Sequence, residues 1–260
     1  MIFTNANDAV TVLTLSQPPV NAINAEWVQA FDAKLDELAS GPPCTVLHIR
    51  SDQKVFCAGA DLREVRAHME APDGADRMYA YVAGIQRLYA RIECLPQVTL
   101  AEIGGAAMGG GLELALACDL RIAAAEAKIG LPEVRLGLIP GAGGTQRLTR
   151  VCGPALASRL ILGAEILDGA AASDLGLVHW AVPRAELAKR AAEMARRIAG
   201  LPAAALAASK TCIAAAGQQE RGGYTDELEF TRLLLNDAET RQRVQAFLAG
   251  AADNAKTKRD

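Results

Sequence analysis

The stretch "AAMGGGLELALACD", residues 106–119, joins three consecutive glycines to an apolar segment that carries one carboxylate, Glu113. A glycine inside a helix costs about 1 kcal/mol relative to alanine, and a carboxylate among leucines loses its hydration. The chain accepts both costs within five residues. This indicates that the glycines and the glutamate serve something other than stability.

The run Gly109–Gly111 predicts a turn that opens into a helix and leaves backbone N–H groups without partners. Such groups carry partial positive charge, so they can hold a phosphate or an oxyanion that develops on a thioester carbonyl. The alternative is a tight turn in which glycine merely allows two backbones to pack closely. By themselves the glycines favour the tight turn.

Two carboxylates favour the chemical interpretation. Glu113 would lie in the first helical turn, where a capping glutamate is the alternative, but its apolar neighbours require a partner or a raised proton affinity. Glu133 stands twenty positions later in "GLPEVRLGLIPGAGG", residues 130–144, in an equally apolar, loop-like setting. A surface-loop glutamate is the usual interpretation of such a residue. Together the two predict a general acid/base pair.

A third segment, "KVFCAGADL", residues 54–62, follows a predicted strand. Residues 58–60 are small enough for a ligand to touch the backbone. Asp61 predicts the N-cap of a helix that begins at Leu62. By itself this is a routine strand-to-helix turn.

The hydrophobic periodicity around these segments predicts an α/β fold. Apolar, β-branched runs predict strands at 10–15, 45–50, 97–103 and 119–124, and helical spacing occurs at 24–40 and 77–95. Their alternation indicates a largely parallel sheet through about residue 182. Only helical patterns follow, many of them alanine-rich. We therefore divide the chain into an α/β core, 1–195, and a helical C-terminal region, 196–260.

The composition argues against several classes of partner. A formal net charge of −3 and an aromatic content of 4% give no reason to expect nucleic acid or a membrane surface. The six cysteines form no C-x-x-C pair, the three histidines lack metal-ligand spacing, and no dinucleotide or P-loop motif occurs. We see no signal peptide and no apolar run near the ~20 residues of a membrane span. We expect a cytoplasmic protein without a metal.

Taken together, three segments are specific. "FCAGADL" (56–62), "GGAAMGGGLELALACDLRIA" (104–123) and "GLPEVRLGLIPGAGGTQRL" (130–148) resemble the enoyl-CoA hydratase/isomerase (crotonase) family. The similarity extends from "PPVNAIN" (18–24) to the helices past residue 230. It implies an α/β, crotonase-like spiral of ββα turns with a C-terminal α-helical trimerisation region. It also implies an acyl-CoA thioester substrate and a homotrimer or a dimer of trimers.

The resemblance further implies which groups react. In the family two backbone N–H groups hold the thioester oxygen, and by motif position these belong to Ala60 and Gly110. The two glutamates of the family's hydratases are matched by Glu113, which would mainly activate water, and Glu133, which would mainly protonate C2. The two can share these duties. This implies an enoyl-CoA hydratase of fatty-acid or related acyl-CoA degradation, which forms a 3-hydroxyacyl-CoA without a metal or redox cofactor.

The coenzyme A end of the substrate is assigned by the same resemblance. Ala58 would lie along the adenine and pantetheine path, with Asp61, Leu62 and Arg63 beside it. Lys54 or Arg63 could meet the CoA phosphates, and solvated surface charge is the equal alternative. Residues 63–82 would line the acyl pocket.

Other activities stay open at this stage. Isomerases of the family usually manage with one acidic residue, hydratases of branched or aromatic acyl-CoA esters can keep both, and a non-catalytic binding homologue would have no use for either. The C-terminal "AFLAGAADNAKTKRD", residues 246–260, lacks the basic run with which relatives reach a neighbouring subunit's CoA. Arg243 also stands where the family often has glycine. The contribution of the C-terminus to CoA binding is therefore open.

Overall fold

The computed structural model describes residues 2–7, 9–216, 238–240 and 242. The chain divides into one compact unit that ends at Ala199 and a second that begins at Gly200. The sequence prediction placed this division at 195/196. Of the predicted helices past residue 230, only residues 238–240 and 242 are described, and they are helical. Arg243 and the segment 246–260 lie outside the described residues.

The strands form two sheets. In the described part of the chain they are β1 (Ile2–Asn7), β2 (Val10–Leu15), β3 (Val46–Ser51), β4 (Val98–Ile103), β5 (Ala107–Met108), β6 (Leu120–Ala124), β7 (Lys128–Gly130), β8 (Ile166–Asp168) and β9 (Trp180–Val182). The larger sheet has six strands in the order β1-β2-β3-β4-β6-β9, and only β1 and β2 pair antiparallel. The smaller sheet has the order β5-β7-β8.

Helices connect these strands. Over the same described ranges they are α1 (Ala25–Ser40), α2 (Leu62–Glu70), α3 (Gly74–Glu93), α4 (Gly110–Leu116), α5 (Gly144–Leu162), α6 (Gly169–Asp174), α7 (Arg184–Ala199) and α8 (Ala203–Ala215). A 3₁₀ turn spans Glu133–Leu136. No single described helix is long and apolar enough to cross a membrane, and α7 with α8 meets that test only as a pair.

The buried residues of the core follow the hydrophobic periodicity from which the strands and α1 were predicted. Every residue of β4 is buried, as expected for a central parallel strand covered on both faces. Trp27, Phe31 and Leu35 form the buried stripe of α1, and the Asn24 side chain caps that helix by accepting from the Trp27 amide at 2.8 Å. The four predicted strands and α1 are confirmed to within one residue at each end.

Two regions differ from the sequence prediction. The first strand, β1, was not predicted because "IFTNAN" has no apolar alternation; it lies at the sheet edge, and Phe3 and Thr4 are exposed. The second is the segment "EAPDG", residues 70–74, whose polar and proline-containing sequence indicates a loop; the structure reduces this loop to residues 71–73, which separate α2 from α3. The start of α2 follows the prediction, since Asp61 accepts from the Arg63 amide at 2.9 Å.

The second unit is described mainly by α8. Its alanine-rich sequence was predicted to be helical, and the helix extends from Ala203 to Ala215 after Pro202. Most of the predicted trimerisation region, 196–260, falls on residues that the structure does not describe.

Candidate active site

One large pocket of about 630 Å³ opens in the first unit. Its walls come from residues 58–62, from α2 and α3, from the beginning of α4, and from the loop 132–142. Six of the residues singled out in the sequence line it: Ala58, Ala60, Leu62, Gly110, Glu113 and Glu133. The fold therefore brings the three motifs to one cavity.

The segment around Ala60 is held by a short parallel bridge to Ile23. The Ile23 amide donates to the Gly59 carbonyl at 2.8 Å, and the Asp61 amide donates to the Ile23 carbonyl at 2.7 Å. In a parallel bridge of this kind the N–H of the residue between the two bonds points away from the partner strand. The amide of Ala60 thus faces away from Ile23, towards the pocket that Ala60 lines.

The beginning of α4 provides a second amide. Gly109 has φ +52°, a conformation that favours glycine, and its amide donates to the Gly130 carbonyl at 3.0 Å. Gly110 is the first residue of α4, so its amide has no intrahelical acceptor. Neither it nor the Ala60 amide donates to any other described residue.

These two amides belong to adjoining segments. The position that a Cβ on Gly110 would occupy is 3.7 Å from the Ala60 nitrogen. The two segments therefore lie close together, and residue 110 has no side chain to stand between them. Two free, adjacent N–H groups can both donate to one carbonyl oxygen.

Glu113 lies on the buried side of α4. Its side chain is 3% exposed, and Oε1 accepts from the Gly144 amide at 2.7 Å. Burial raises the pKa of this carboxyl to about 7; the negative charge of Glu133 adds to the increase, and the Gly144 amide opposes it. Glu113 does not act as a capping glutamate, because Oε1 binds the Gly144 amide and the Gly109 amide donates to the Gly130 carbonyl.

Glu133 begins the 3₁₀ turn on the other side of the cavity. Its Oε2 is buried and makes no hydrogen bond within the described residues, and burial raises its pKa. Its Oε1 lies 2.7 Å from the point where a Cβ on Gly109 would stand. The alternative of a solvated surface-loop glutamate is therefore wrong.

Sequence reasoning missed the support behind Glu113. Arg147, on α5, is buried; it donates to the Ala142 carbonyl at 3.0 Å and contacts Glu93 at 2.9 Å. A Cβ on Gly144 would lie 2.8 Å from Oε1 of Glu113, so the glycine makes room for the carboxylate. The only sequence feature near this support was "GAGGTQR", residues 141–147. Its arginine, Arg147, contacts Glu93, which lies 54 positions earlier in the chain.

The predicted CoA residues separate into two groups. Ala58 and Leu62 line the pocket, whereas Lys54, Asp61 and Arg63 do not. Asp61 caps α2 and binds the Arg63 guanidinium, which holds the pKa of that carboxyl below its usual range. The Arg63 side chain is 87% exposed.

The remaining wall of the cavity is apolar. Residues 63–82 contribute to it as predicted, and further apolar side chains come from α3 and from the loop after the 3₁₀ turn. The main contributors are Val65, Met78, Val82, Ile85, Leu138 and Ile139. No cluster of three or more His, Cys, Asp or Glu side chains suited to a metal occurs among the described residues.

Two free amides lie on an apolar pocket with one buried and one partly buried carboxyl. Chemically, such a set can bind a carbonyl oxygen and move protons beside it. The sequence model of the family described as "Enoyl-CoA hydratase/isomerase" matches residues 5–252. The chain belongs to this family, whose members are enzymes that act on acyl-CoA substrates.

Individual relatives agree with this membership. The chain is 41% identical over 204 residues to the enoyl-CoA isomerase/hydratase fer4 of Mycosarcoma maydis, covering 78% of this chain and 73% of the relative. It is 45% identical over 159 residues to the mitochondrial methylglutaconyl-CoA hydratase of Mus musculus, covering 61% of this chain and 49% of that protein. The crystal structure of an enoyl-CoA hydratase from Bacillus anthracis matches with a TM-score of 0.89 at 32% identity, covering 96% of each chain. The predicted α/β, crotonase-like fold is confirmed.

Proposed function

We propose that this enzyme is an enoyl-CoA hydratase, which adds water across the C2=C3 bond of a 2-enoyl-CoA to give a 3-hydroxyacyl-CoA. The observation that carries the proposal is the presence of both Glu113 and Glu133 on the pocket that contains the free amides of Ala60 and Gly110. Water addition to a conjugated thioester needs these two kinds of group: donors for the oxygen, and an acid and a base for the two protons.

The amides of Ala60 and Gly110 would bind the thioester oxygen. Negative charge grows on that oxygen as water attacks C3 and an enolate-like species forms. Donors aimed at developing charge are each worth about 3 kcal/mol, or roughly two powers of ten in rate. This gain exceeds the cost of about 1 kcal/mol for each helical glycine.

The two glutamates would divide the protons. Ionised Glu113, held by the Gly144 amide through Oε1, accepts a proton from the water whose oxygen bonds to C3. Glu133, as the protonated partner of the pair, gives its proton to C2. One O–H bond of the water, the O–H bond of Glu133 and the C2=C3 π bond break, the C3–O, C2–H and Glu113 O–H bonds form, and proton exchange with solvent resets the pair. Because the charge of Glu133 acts on Glu113, the two glutamates can share these duties.

We propose that the reaction uses no metal or redox cofactor. The thioester itself activates C3 towards attack and acidifies C2, and the addition of water involves no net oxidation or reduction of the substrate.

The CoA end of the substrate is proposed to run past Ala58 and Leu62. Both residues lie in the pocket wall. Lys54 is the better of the two candidates for the CoA phosphates, because the guanidinium of Arg63 already binds Asp61. We also propose a homotrimer or a dimer of trimers, which sedimentation velocity would distinguish. Location in the cytoplasm stays a prediction.

The second candidate is an enoyl-CoA isomerase, or a hydratase for a branched or aromatic acyl group. A relative carries both activities in its name and another is named for methylglutaconyl-CoA. An isomerase shuttles one proton between C2 and C4 and needs one acid–base group, so the second buried carboxyl favours hydration. A non-catalytic homologue would leave both carboxyls without a purpose.

The test is incubation of the purified protein with a panel of enoyl-CoA esters, beginning with crotonyl-CoA. We expect loss of the conjugated-enoyl absorbance without any added cofactor, and 3-hydroxybutyryl-CoA as the product. Conversion of 3-enoyl-CoA into 2-enoyl-CoA, with no hydration of any ester in the panel, would assign the isomerase activity instead.

A further inference from the structure

We propose that the hydroxyl groups of Tyr89 and Tyr81, both on α3, hold the two oxyanion amides in their catalytic orientation. The inference rests on the proposed function, because it takes the amides of Gly110 and Ala60 to be the groups that bind the thioester oxygen. The tyrosines are positioning residues in this account.

Tyr89 restrains the Gly110 side of the pair. Its hydroxyl donates to the Gly110 carbonyl at 2.7 Å, its side chain is fully buried, and it does not line the pocket. Burial raises the pKa of Tyr89 well above its usual value, so the hydroxyl keeps its proton and stays a donor. The bond ties a backbone carbonyl on α4 to a different helix, 21 positions away in the chain.

Tyr81 restrains the Ala60 side. Its hydroxyl donates to the Ile23 carbonyl at 2.7 Å. That same carbonyl accepts from the Asp61 amide at 2.7 Å, and Ile23 forms the short bridge to Ala60. Tyr81 therefore fixes the strand segment against which the Ala60 peptide is aligned.

The need for such restraints follows from the sequence of the site. Gly110 lies within three consecutive glycines, and glycine has the largest conformational freedom of any residue. No side chain of its own can fix the direction of the Gly110 amide. The Gly109 carbonyl, in the same peptide unit as the Gly110 amide, accepts from the Glu113 amide at 3.0 Å, which holds that peptide from within α4. Tyr89 adds a restraint on the next peptide through the Gly110 carbonyl. Donors stabilise an oxyanion most when they are fixed in place before charge develops.

A single helix supplies both bonds. Tyr81, Ile85 and Tyr89 follow one another at four-residue spacing and share one face of α3. Ile85, between the tyrosines, lines the pocket, and so does Tyr81, whereas Tyr89 does not. The helix α3 would therefore both contact the acyl group and orient the two amides.

The test uses Tyr89→Phe and Tyr81→Phe separately, since phenylalanine keeps the buried ring and removes only the donor. We expect kcat for crotonyl-CoA hydration to fall about tenfold in Tyr89→Phe, which is the size of one buried hydrogen bond, while KM changes less than about threefold. Tyr81→Phe should show a smaller loss of the same kind, because it acts through Ile23.

A spectroscopic measurement separates orientation from folding. A 3-aryl-2-enoyl-CoA bound to Glu113→Gln/Glu133→Gln protein should absorb at longer wavelength than in water, because the two donors polarise its carbonyl. Adding Tyr89→Phe should reduce this red shift. Thr99→Val is the matched control: it removes the two hydrogen bonds that the Thr99 hydroxyl on β4 makes with Asp119, just before β6, and should lower stability without changing the red shift or kcat.

The outcomes are separable. If wild-type protein hydrates no enoyl-CoA, the proposed function fails. If it does, and both tyrosine variants keep the full red shift and wild-type kcat, the positioning role is wrong. The positioning role is also wrong if the variants lose activity only in proportion to their fraction of unfolded protein and keep the full red shift. If Tyr89→Phe does not fold, Tyr81→Phe carries the same test alone.

Discussion

The central sheet and the pocket, both in the described part of the chain, hold carboxylates in opposite ways. In the central sheet, Oε2 of Glu102 lies 2.8 Å from Nε2 of His48, at ion-pair distance although not in the alignment of a good hydrogen bond. In the pocket, Glu113 has a backbone amide as its partner, and Oε2 of Glu133 has no described partner.

This difference separates a structural carboxylate from a reactive one. A buried charge is tolerated when an opposite charge lies beside it. A buried carboxyl without a cation has a raised proton affinity, and near neutral pH such a group can both take and give a proton. Glu113, with a pKa of about 7, meets this condition.

The largest expected effect comes from removing either reactive carboxyl of the pocket. Glu113→Gln and Glu133→Gln should each lower kcat for crotonyl-CoA by about 10²–10⁴-fold, the usual worth of a general acid or base. Both proteins should unfold as cooperatively as wild type in urea, because neither change removes an ion pair. Wild-type turnover in either variant would contradict the assignment of that glutamate as a general acid or base.

Breaking the structural pair should act on stability instead. His48→Leu leaves Glu102 buried without its partner and should cost about 3 kcal/mol of the free energy of unfolding. His48→Leu/Glu102→Leu should recover most of this loss, and kcat per folded molecule should stay at the wild-type value in both. Urea unfolding measures the cost. Equal losses in the single and double variants would show that the pair is not coupled.

The pH dependence of stability sharpens the comparison. The pKa of Glu113 is about 7 in the folded chain against 4.5 ordinarily, so the folded state binds the proton more tightly. Its contribution to stability is therefore full below pH 4.5 and is lost as pH rises through about 7.

Glu113→Gln removes this titration. Between pH 4 and pH 8 the variant should gain about 2–3 kcal/mol in the free energy of unfolding relative to wild type. Urea unfolding at a series of pH values checks this expectation. A difference that stays constant with pH would mean that Glu113 is not perturbed by burial.

The smallest expected effect concerns the glycine behind Glu113. In Gly144→Ala the new Cβ would lie 2.8 Å from Oε1 and 2.7 Å from Pro140, so the carboxylate has to move. We expect kcat to fall about tenfold, equivalent to ~1.4 kcal/mol. Gly84→Ala is the control, because its Cβ meets only the end of Arg87 at 3.8 Å. Equal activity in the two variants would argue against a fixed Glu113.

Much of the fold could be predicted from the sequence, because the central strands and α1 bury their residues with the periodicity of their own secondary structure. The small second sheet was less accessible, since β5 and β7 have two and three residues and leave no periodic pattern. The edge strand β1 depends on pairing with β2 rather than on its own composition.

The candidate site shows the same limit. Glu113, Glu133 and the two glycine-rich segments can be recognised from the sequence because each is unusual among its sequence neighbours. The carboxylates stand in apolar stretches, and the glycines occur where a helix or strand would disfavour them. The contacts that orient them do not, since Gly144 meets Glu113 across 31 positions and Tyr81 meets Ile23 across 58. Such pairs follow from the packing of helices, which sequence periodicity does not specify.

The most direct measurement is a double-mutant cycle on crotonyl-CoA hydration, with kcat/KM determined for wild type, Glu113→Gln, Glu133→Gln and the double variant. If both carboxyls serve one addition of water, the double variant should be little slower than the slower single variant, because groups that act in the same step are not additive. Single losses that multiply in the double variant would mean independent roles and would contradict the paired mechanism.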